Sequence, residues 1–226
     1  MNVLVVAAHP DDEVLGAGGM MQRHVAQRDQ VFVLILGEGI TSRYTNRAQT
    51  PKNEVRKLRT CSEKALKLLQ VTKGFYRNFP DNRFDSVDLL DIIKEIESVK
   101  KQVGAQIVYT HHAGDLNIDH QITFQAVLTA TRPVKTETVK QILSFEVPSS
   151  TEWNISQHNN GFFPNVYFDI SNYLNKKIKA LQLYSSEVKP PDHPRSSHGL
   201  KTLATWRGLQ AGKKAAEAFE LVRYIS

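Results

Sequence analysis

Residues 2–8 (N-V-L-V-V-A-A) form a short apolar run rich in β-branched side chains, and the chain turns acidic as soon as the run ends, at His9-Pro10-Asp11-Asp12-Glu13. An unbroken apolar run of this length suits a strand buried on both faces, as strands are when helices cover a parallel sheet. Pro10 has no N–H to donate and disfavours helix at the residue before it, so the strand is predicted to stop at His9 and the chain to turn. Asp11, Asp12 and Glu13 then stand side by side, and adjacent carboxylates repel unless a cation or hydrogen-bond donors lie close. In open α/β sheets ligands bind beyond the carboxyl ends of strands, which is where this cluster falls.

The rest of the chain alternates between strand-like and helix-like segments. Residues 14–26 read as a helix whose first turns carry Gly16, Ala17, Gly18 and Gly19. Lying inside the helix and after the acids, these small residues suit close helix packing better than a nucleotide-binding turn. Residues 30–36 are a second strand, ended by Gly37-Glu38-Gly39, and residues 40–52 an exposed polar loop. An amphipathic helix follows over 54–69, with Val55, Leu58, Ala65, Leu66 and Leu69 at helical spacing. A short strand (74–79), a polar loop (80–88) and a second amphipathic helix (89–103) come next, the last closed by Gly104. The strand 106–110 runs directly into His111-His112-Ala113-Gly114-Asp115-Leu116-Asn117-Ile118-Asp119-His120, and a helix is predicted over about 121–131. Two later strands (141–147 and 165–170) flank a Ser-, Thr- and Asn-rich loop at 149–161. A helix over 172–185, a Pro-rich turn at 190–194 and a last helix over 200–219 complete the chain. Leu203 and Trp206 of that helix read as core or interface, and Arg207 and Glu217 as an ion pair or a subunit contact. The alternation implies a three-layer α/β/α, Rossmann-like fold with a mostly parallel sheet.

At 226 residues the expectation is one domain, 1–226, with a full hydrophobic core. No apolar run approaches the ~20 residues needed to cross a bilayer. The first run has no basic segment ahead of it and reads as a strand, not a leader. A single cysteine, Cys61, excludes an internal disulfide and fits a reducing, cytoplasmic setting. Lys and Arg outnumber Asp and Glu, 29 to 23, but alternate with other residue types along helices, the pattern of a solvated face. No aromatic-basic stacking pattern or nucleic-acid motif is present, so a nucleic-acid partner is not expected.

Histidines and carboxylates at two strand ends form the constellation that can carry chemistry. A hydrolytic zinc site needs about three protein ligands and an open position for water. The first strand end supplies His9 and Asp12; the strand 106–110 supplies His111, His112, Asp115, Asp119 and His120. A mixed nitrogen and oxygen set suits zinc, with iron, cobalt or manganese also compatible. Asp11, beside such a site, is placed to remove a proton from water.

The string Ala7-Ala8-His9-Pro10-Asp11-Asp12-Glu13, with the distant pair Asp119-His120, closely resembles the PIG-L/LmbE family of zinc-dependent N-deacetylases. The likeness extends to Gly37-Glu38-Gly39, to Asp115-Leu116-Asn117-Ile118, to His193-Pro194-Arg195-Ser196 and to Ala216-Glu217-Ala218-Phe219. The resemblance implies that His9, Asp12 and His120 hold the metal, that Asp11 is the general base, and that Asp119 orients a ligand from behind. It also implies a substrate-binding arginine on the helix after the second strand, where Arg59 is preferred over Arg56, and a substrate contact from His193. The implied substrate is an N-acetylated amino sugar or one of its conjugates.

The chain departs from the family at one point. Many relatives carry His-Pro-Asp-His, whose first histidine is held to stabilise the oxyanion and protonate the leaving amine; here that position is Asn117. An amide can donate to an oxyanion but is no acid at neutral pH. The role then falls to His111, His112 or His193, or Asp11 carries both proton transfers. An amidase acting on a larger acyl group and a non-catalytic sugar- or nucleotide-binding protein are the competing readings. The exposed helices leave room for a homo-oligomer.

Overall fold

In the computed structural model, which describes residues 1–154 and 161–226, the first apolar run is strand β1 (Asn2–Ala7), inside a sheet. Val3, Val5 and Ala7 face one hydrophobic layer and Leu4, Val6 and Ala8 the other. Helices cover both faces, so neither side of the strand meets water and the run needs no polar alternation.

The chain continues through α1 (Asp12–Ala26), β2 (Gln30–Gly37), α2 (Lys52–Leu68), β3 (Lys73–Phe79), α3 (Leu89–Val103), β4 (Ile107–His111) and α4 (Ile118–Ala130). It closes with β5 (Gln141–Phe145), β6 (Val166–Asp169), α5 (Leu174–Gln182), α6 (Ser197–Gln210) and β7 (Ala216–Tyr224). Among the described residues the sheet has seven strands in the order β3-β2-β1-β4-β5-β7-β6. The first five are parallel to one another, and β7 is antiparallel to β5 and β6. Residues of α1, α2 and α5 fill one apolar layer and those of α3 and α4 the other, which is the three-layer α/β/α arrangement. From β1 the chain passes to β2 on one side, while β4 lies on the other. Such a switch of direction opens a crevice at the carboxyl ends of the two central strands.

Helix α1 is broken at Ala17 (φ −137°, ψ 16°), which frees backbone groups inside a buried helix. Buried Lys177 of α5 donates to the Leu15 carbonyl at 2.7 Å, and buried Glu217 of β7 accepts from the amides of Gly19 and Met20 at 2.8 and 2.6 Å. Lys177 and Glu217 are themselves 2.6 Å apart. Glu217 is therefore paired with Lys177 and not with Arg207, which pairs with Glu146 at 2.7 Å. The small residues of α1 serve close packing: a Cβ at Gly16 would lie 2.2 Å from the Phe145 ring, and one at Gly19 2.8 Å from Ile170.

The end of the chain corrects the sequence reading. Helix α6 stops at Gln210, and residues 216–224 are strand β7 instead of the continuation of a helix to Phe219. Gly212, in the left-handed region at φ 65°, turns the chain. Ala, Glu and Phe are tolerable helix formers, but here pairing with β5 and β6 overrides local propensity. Trp206 is 57% exposed and so is not a core residue. Residues 155–160 of the 149–161 loop lie outside the described residues. Among the described residues no helix is long and apolar enough to cross a membrane.

Candidate metal centre

Past β1 the chain turns within four residues, and backbone groups lock that turn. Asp12 N donates to the His9 carbonyl at 3.3 Å, while His9 N donates to Asp12 Oδ2 at 2.9 Å. The Asp11 carbonyl accepts from Val14 N and Leu15 N, starting α1, with Asp11 itself at φ 108°. Positive φ is disfavoured for a residue with a Cβ and is held only where the surroundings fix it. Glu13 supplies part of that hold. It accepts from Asp11 N at 3.0 Å and from the Tyr184 hydroxyl. Burial pushes its carboxyl up to about 8, against the Tyr184 hydrogen bond.

The turn points His9 and Asp12 toward His120, in the first turn of α4. His9 Nδ1 is 3.3 Å and His120 Nε2 3.2 Å from Asp12 Oδ2, and one ligand atom from each residue lies within 4.8 Å of the others. The far side of each imidazole is occupied by a carboxylate. His9 Nε2 is 2.8 Å from Asp119 Oδ2, and His120 Nδ1 is 3.0 Å from Asp115 Oδ1. Carboxylates placed behind ligating histidines commonly fix ring orientation in this way. Asp119 is itself fixed by Asn82 N at 2.6 Å and Phe84 N at 2.9 Å, and Asp115 by Asn117 N at 2.9 Å and the Thr151 hydroxyl at 2.6 Å.

These residues fit a metal ion. Both ring nitrogens of His120 are buried without a partner in hydrogen-bond geometry, although carboxylate oxygens lie close. Two imidazoles and a carboxylate converging on one point form the mixed donor set that suits zinc. In a second group, His9 with Asp81 and Asp119, both carboxylates face His9 Nε2. These carboxylates are already engaged, Asp119 by two backbone amides and Asp81 by Ser42 N at 3.0 Å and the Ser42 hydroxyl at 2.6 Å.

The electrostatics separate the neighbouring acids. Burial pushes Asp11 up to about 7, with Asp12 and Glu187 adding to the effect and the Arg195 guanidinium opposing it. Burial also works against the Asp12 carboxylate, but His120, His9 and His111 outweigh it and hold Asp12 well below its ordinary value. Burial disfavours a charged His120, yet Asp12 and Asp115 hold its pKa up to about 9. The pocket is thus built to receive positive charge at the ligand position.

Above these groups opens a cavity of about 220 Å³, walled by polar side chains that include Ser42, Arg43, Asp81, Asn82, Glu187 and Arg195. The profile of the GlcNAc-PI de-N-acetylase family, PIG-L, matches residues 4–131, which contain His9, Asp11, Asp12 and His120. The chain belongs to this family. An Escherichia coli K12 relative described as the uncharacterized deacetylase YaiS is 30% identical over 193 residues, covering 81% of this chain and 90% of the relative. Among solved structures, the N,N'-diacetylchitobiose deacetylase of Pyrococcus horikoshii superposes with a TM-score of 0.77 at 18% identity, over 98% of this chain and 84% of that one. GalB, the 4-carboxy-2-hydroxymuconate hydratase of Pseudomonas putida KT2440, does so with a TM-score of 0.74 at 20% identity, over 100% and 97%.

Not every residue that the family resemblance suggested comes to the cavity. Arg59 lies on the exposed face of α2, 3.1 Å from Glu63 and over the Tyr76 ring at 4.5 Å. Arg56 is exposed on the same helix. The arginines that line the cavity are Arg43 and Arg195, both from loops. His193 is not in the wall. Its Nδ1 accepts from Arg195 N at 3.1 Å and its ring packs against Trp153. His111 accepts from Ala8 N at 2.8 Å through Nε2 and stacks on His120 with centroids 3.9 Å apart, so that nitrogen has no lone pair for a metal. His112 faces Glu220 at 2.8 Å. Asn117 caps α4, its Oδ1 accepting from Asp119 N and its Nδ2 donating to Asn82 Oδ1, both at 2.8 Å.

Proposed function

We propose that the chain is a zinc-dependent hydrolase that removes the acetyl group from an N-acetylated amino sugar, its glycoconjugate or its sugar nucleotide. The products are acetate and a free amine. The observation that carries this reading is the convergence of His9, Asp12 and His120 beside a separate carboxyl, Asp11, under a polar cavity in a chain of a deacetylase family.

His9, Asp12 and His120 would hold the ion, with Asp119 and Asp115 fixing the two rings. The chemistry a zinc ion supplies when bound is polarisation of the acetyl carbonyl and a water acidified to about 7. Asp11 takes a proton from the attacking water as the new C–O bond forms. Asn117 has both ends of its amide engaged and no acidic proton at neutral pH. Asp11 is therefore assigned the second transfer as well, returning the proton to the nitrogen as the C–N bond breaks. The cavity wall offers acceptors and donors suited to hydroxyl groups, which supports a sugar as substrate.

Acetate release tests this. Zinc-loaded protein is expected to free acetate from N-acetylglucosamine, its phosphates or its nucleotide conjugates, and a chelator is expected to stop the reaction until zinc is restored. Activity unaffected by chelation, or no acetate from any of these substrates, would overturn the assignment.

A further inference from the structure

Arg195 enters the cavity from the turn at 190–196, immediately before α6. Its own residues fix this turn. His193 N donates to the Pro190 carbonyl at 3.0 Å, Ser196 N to the His193 carbonyl at 2.9 Å, and Arg195 N to His193 Nδ1 at 3.1 Å. Ser196 caps α6, accepting from Gly199 N at 2.9 Å. Gly199 lies so close beneath the turn that a Cβ there would sit 2.2 Å from the Pro194 carbonyl oxygen.

From this platform the guanidinium reaches across 184 positions of sequence, and Nη2 pairs with Asp11 Oδ2. Among the described residues it is the only hydrogen-bond partner of the Asp11 carboxylate. The same Nη2 is 3.6 Å from Glu187, which in turn accepts from Arg43 at 2.6 and 2.7 Å. Asp11 sits on a backbone held at φ 108°, and Arg195 is what grips its carboxylate. A fixed ion pair on one oxygen leaves the other for a water, and a base must be held in geometry to contribute fully.

We propose that Arg195 is the positioning residue of Asp11: by pairing with one carboxylate oxygen it fixes the orientation in which the other meets the attacking water. The inference rests on the deacetylase reading. Its weight comes from Asn117, because with no histidine there a single carboxyl must face first the water and then the leaving nitrogen.

The test compares wild type, Arg195→Ala and Arg195→Lys for acetate release, zinc content and crystal structure. A misplaced catalytic group can cost on the order of 100-fold. The Ala variant is expected to keep its zinc, to lose roughly that factor in kcat with little change in KM, and to regain part of it with non-denaturing guanidinium. The Lys variant, which keeps the charge but not the fork, is expected to fall between, and it serves if Arg195→Ala fails to fold. In the Ala crystal structure the Asp11 carboxylate is expected to leave its position. An undiminished kcat, a loss confined to KM or to zinc content, or no response to guanidinium would overturn the proposal. If wild type itself releases no acetate, the deacetylase reading fails. The crystal structure then still decides, and an unmoved Asp11 carboxylate would overturn the positioning role.

Discussion

Asp11 and Asp12 are neighbours in sequence with opposite environments. Asp12 faces two imidazoles and stays ionised, whereas Asp11 is buried beside other carboxylates and is pushed up to about 7. Opposite environments of this kind are what the proposed roles require, Asp12 as ligand and Asp11 as base. Glu13, the third acid, is structural and makes a testable mark on stability. Its carboxyl stays protonated in the fold up to about 8, while in the unfolded chain it ionises near 4.5. The folded state then binds the extra proton, so the stability this group contributes is complete below about pH 4.5 and is lost as pH rises toward 8. In chelator, stability measured by denaturant is expected to fall with pH more steeply in wild type than in Glu13→Gln, by up to about 1.4 kcal/mol per pH unit. Parallel curves would show that Glu13 is ionised in the fold. At this scale the sequence was informative wherever a residue belonged to a compact string: His9, Asp12, His120 and Asp119 come together in space. It was uninformative for the cavity arginines. Arg59 sits on a regular helix whose spacing predicts its exposure, whereas Arg43 and Arg195 belong to loops with no period from which direction could be read.

At the scale of elements, the alternating segments of α1 through β4 could be read because each carries its own periodicity and its own stop signal. Gly104, at φ 60° after α3, is the clearest of these. Strand β7 could not be read so. Its Ala-Glu-Ala-Phe-Glu string has no strong β preference, and what makes it a strand is two partners, one of them 53 positions upstream at the Val166–Phe219 pair and the other beyond it in β5. The kink at Ala17 was hidden for the same reason, since the groups that satisfy it come from α5 and β7. Lys177 is buried and supports both the Leu15 carbonyl and the Glu217 carboxylate. Removing one member of a buried pair strands the other. Lys177→Met is expected to lower the unfolding free energy by about 3–5 kcal/mol in chemical denaturation. A change below about 1 kcal/mol would mean that water reaches Glu217 and that the kink stands without the pair.

For the whole molecule, the position of the site follows from topology. β1 and β4 are adjacent parallel strands at the point where the sheet reverses direction, so the loops beyond His9 and His111 meet in one crevice. Family membership and fold together leave the reaction to be settled by the site, since the same architecture is found in a deacetylase and in a hydratase. In the proposed reaction His9, Asp12 and His120 hold the metal and Asp11, beside them, moves the proton. The measurement that tests it most directly is bound zinc per chain and acetate released by the same samples of wild type, His120→Ala and Asp11→Asn. Zinc is expected in wild type and Asp11→Asn and to be lost from His120→Ala. Acetate is expected from wild type, with Asp11→Asn slower by about 10²–10⁴-fold. Full activity in Asp11→Asn would remove the base from Asp11, and zinc retained without His120 would remove His120 from the ligand set.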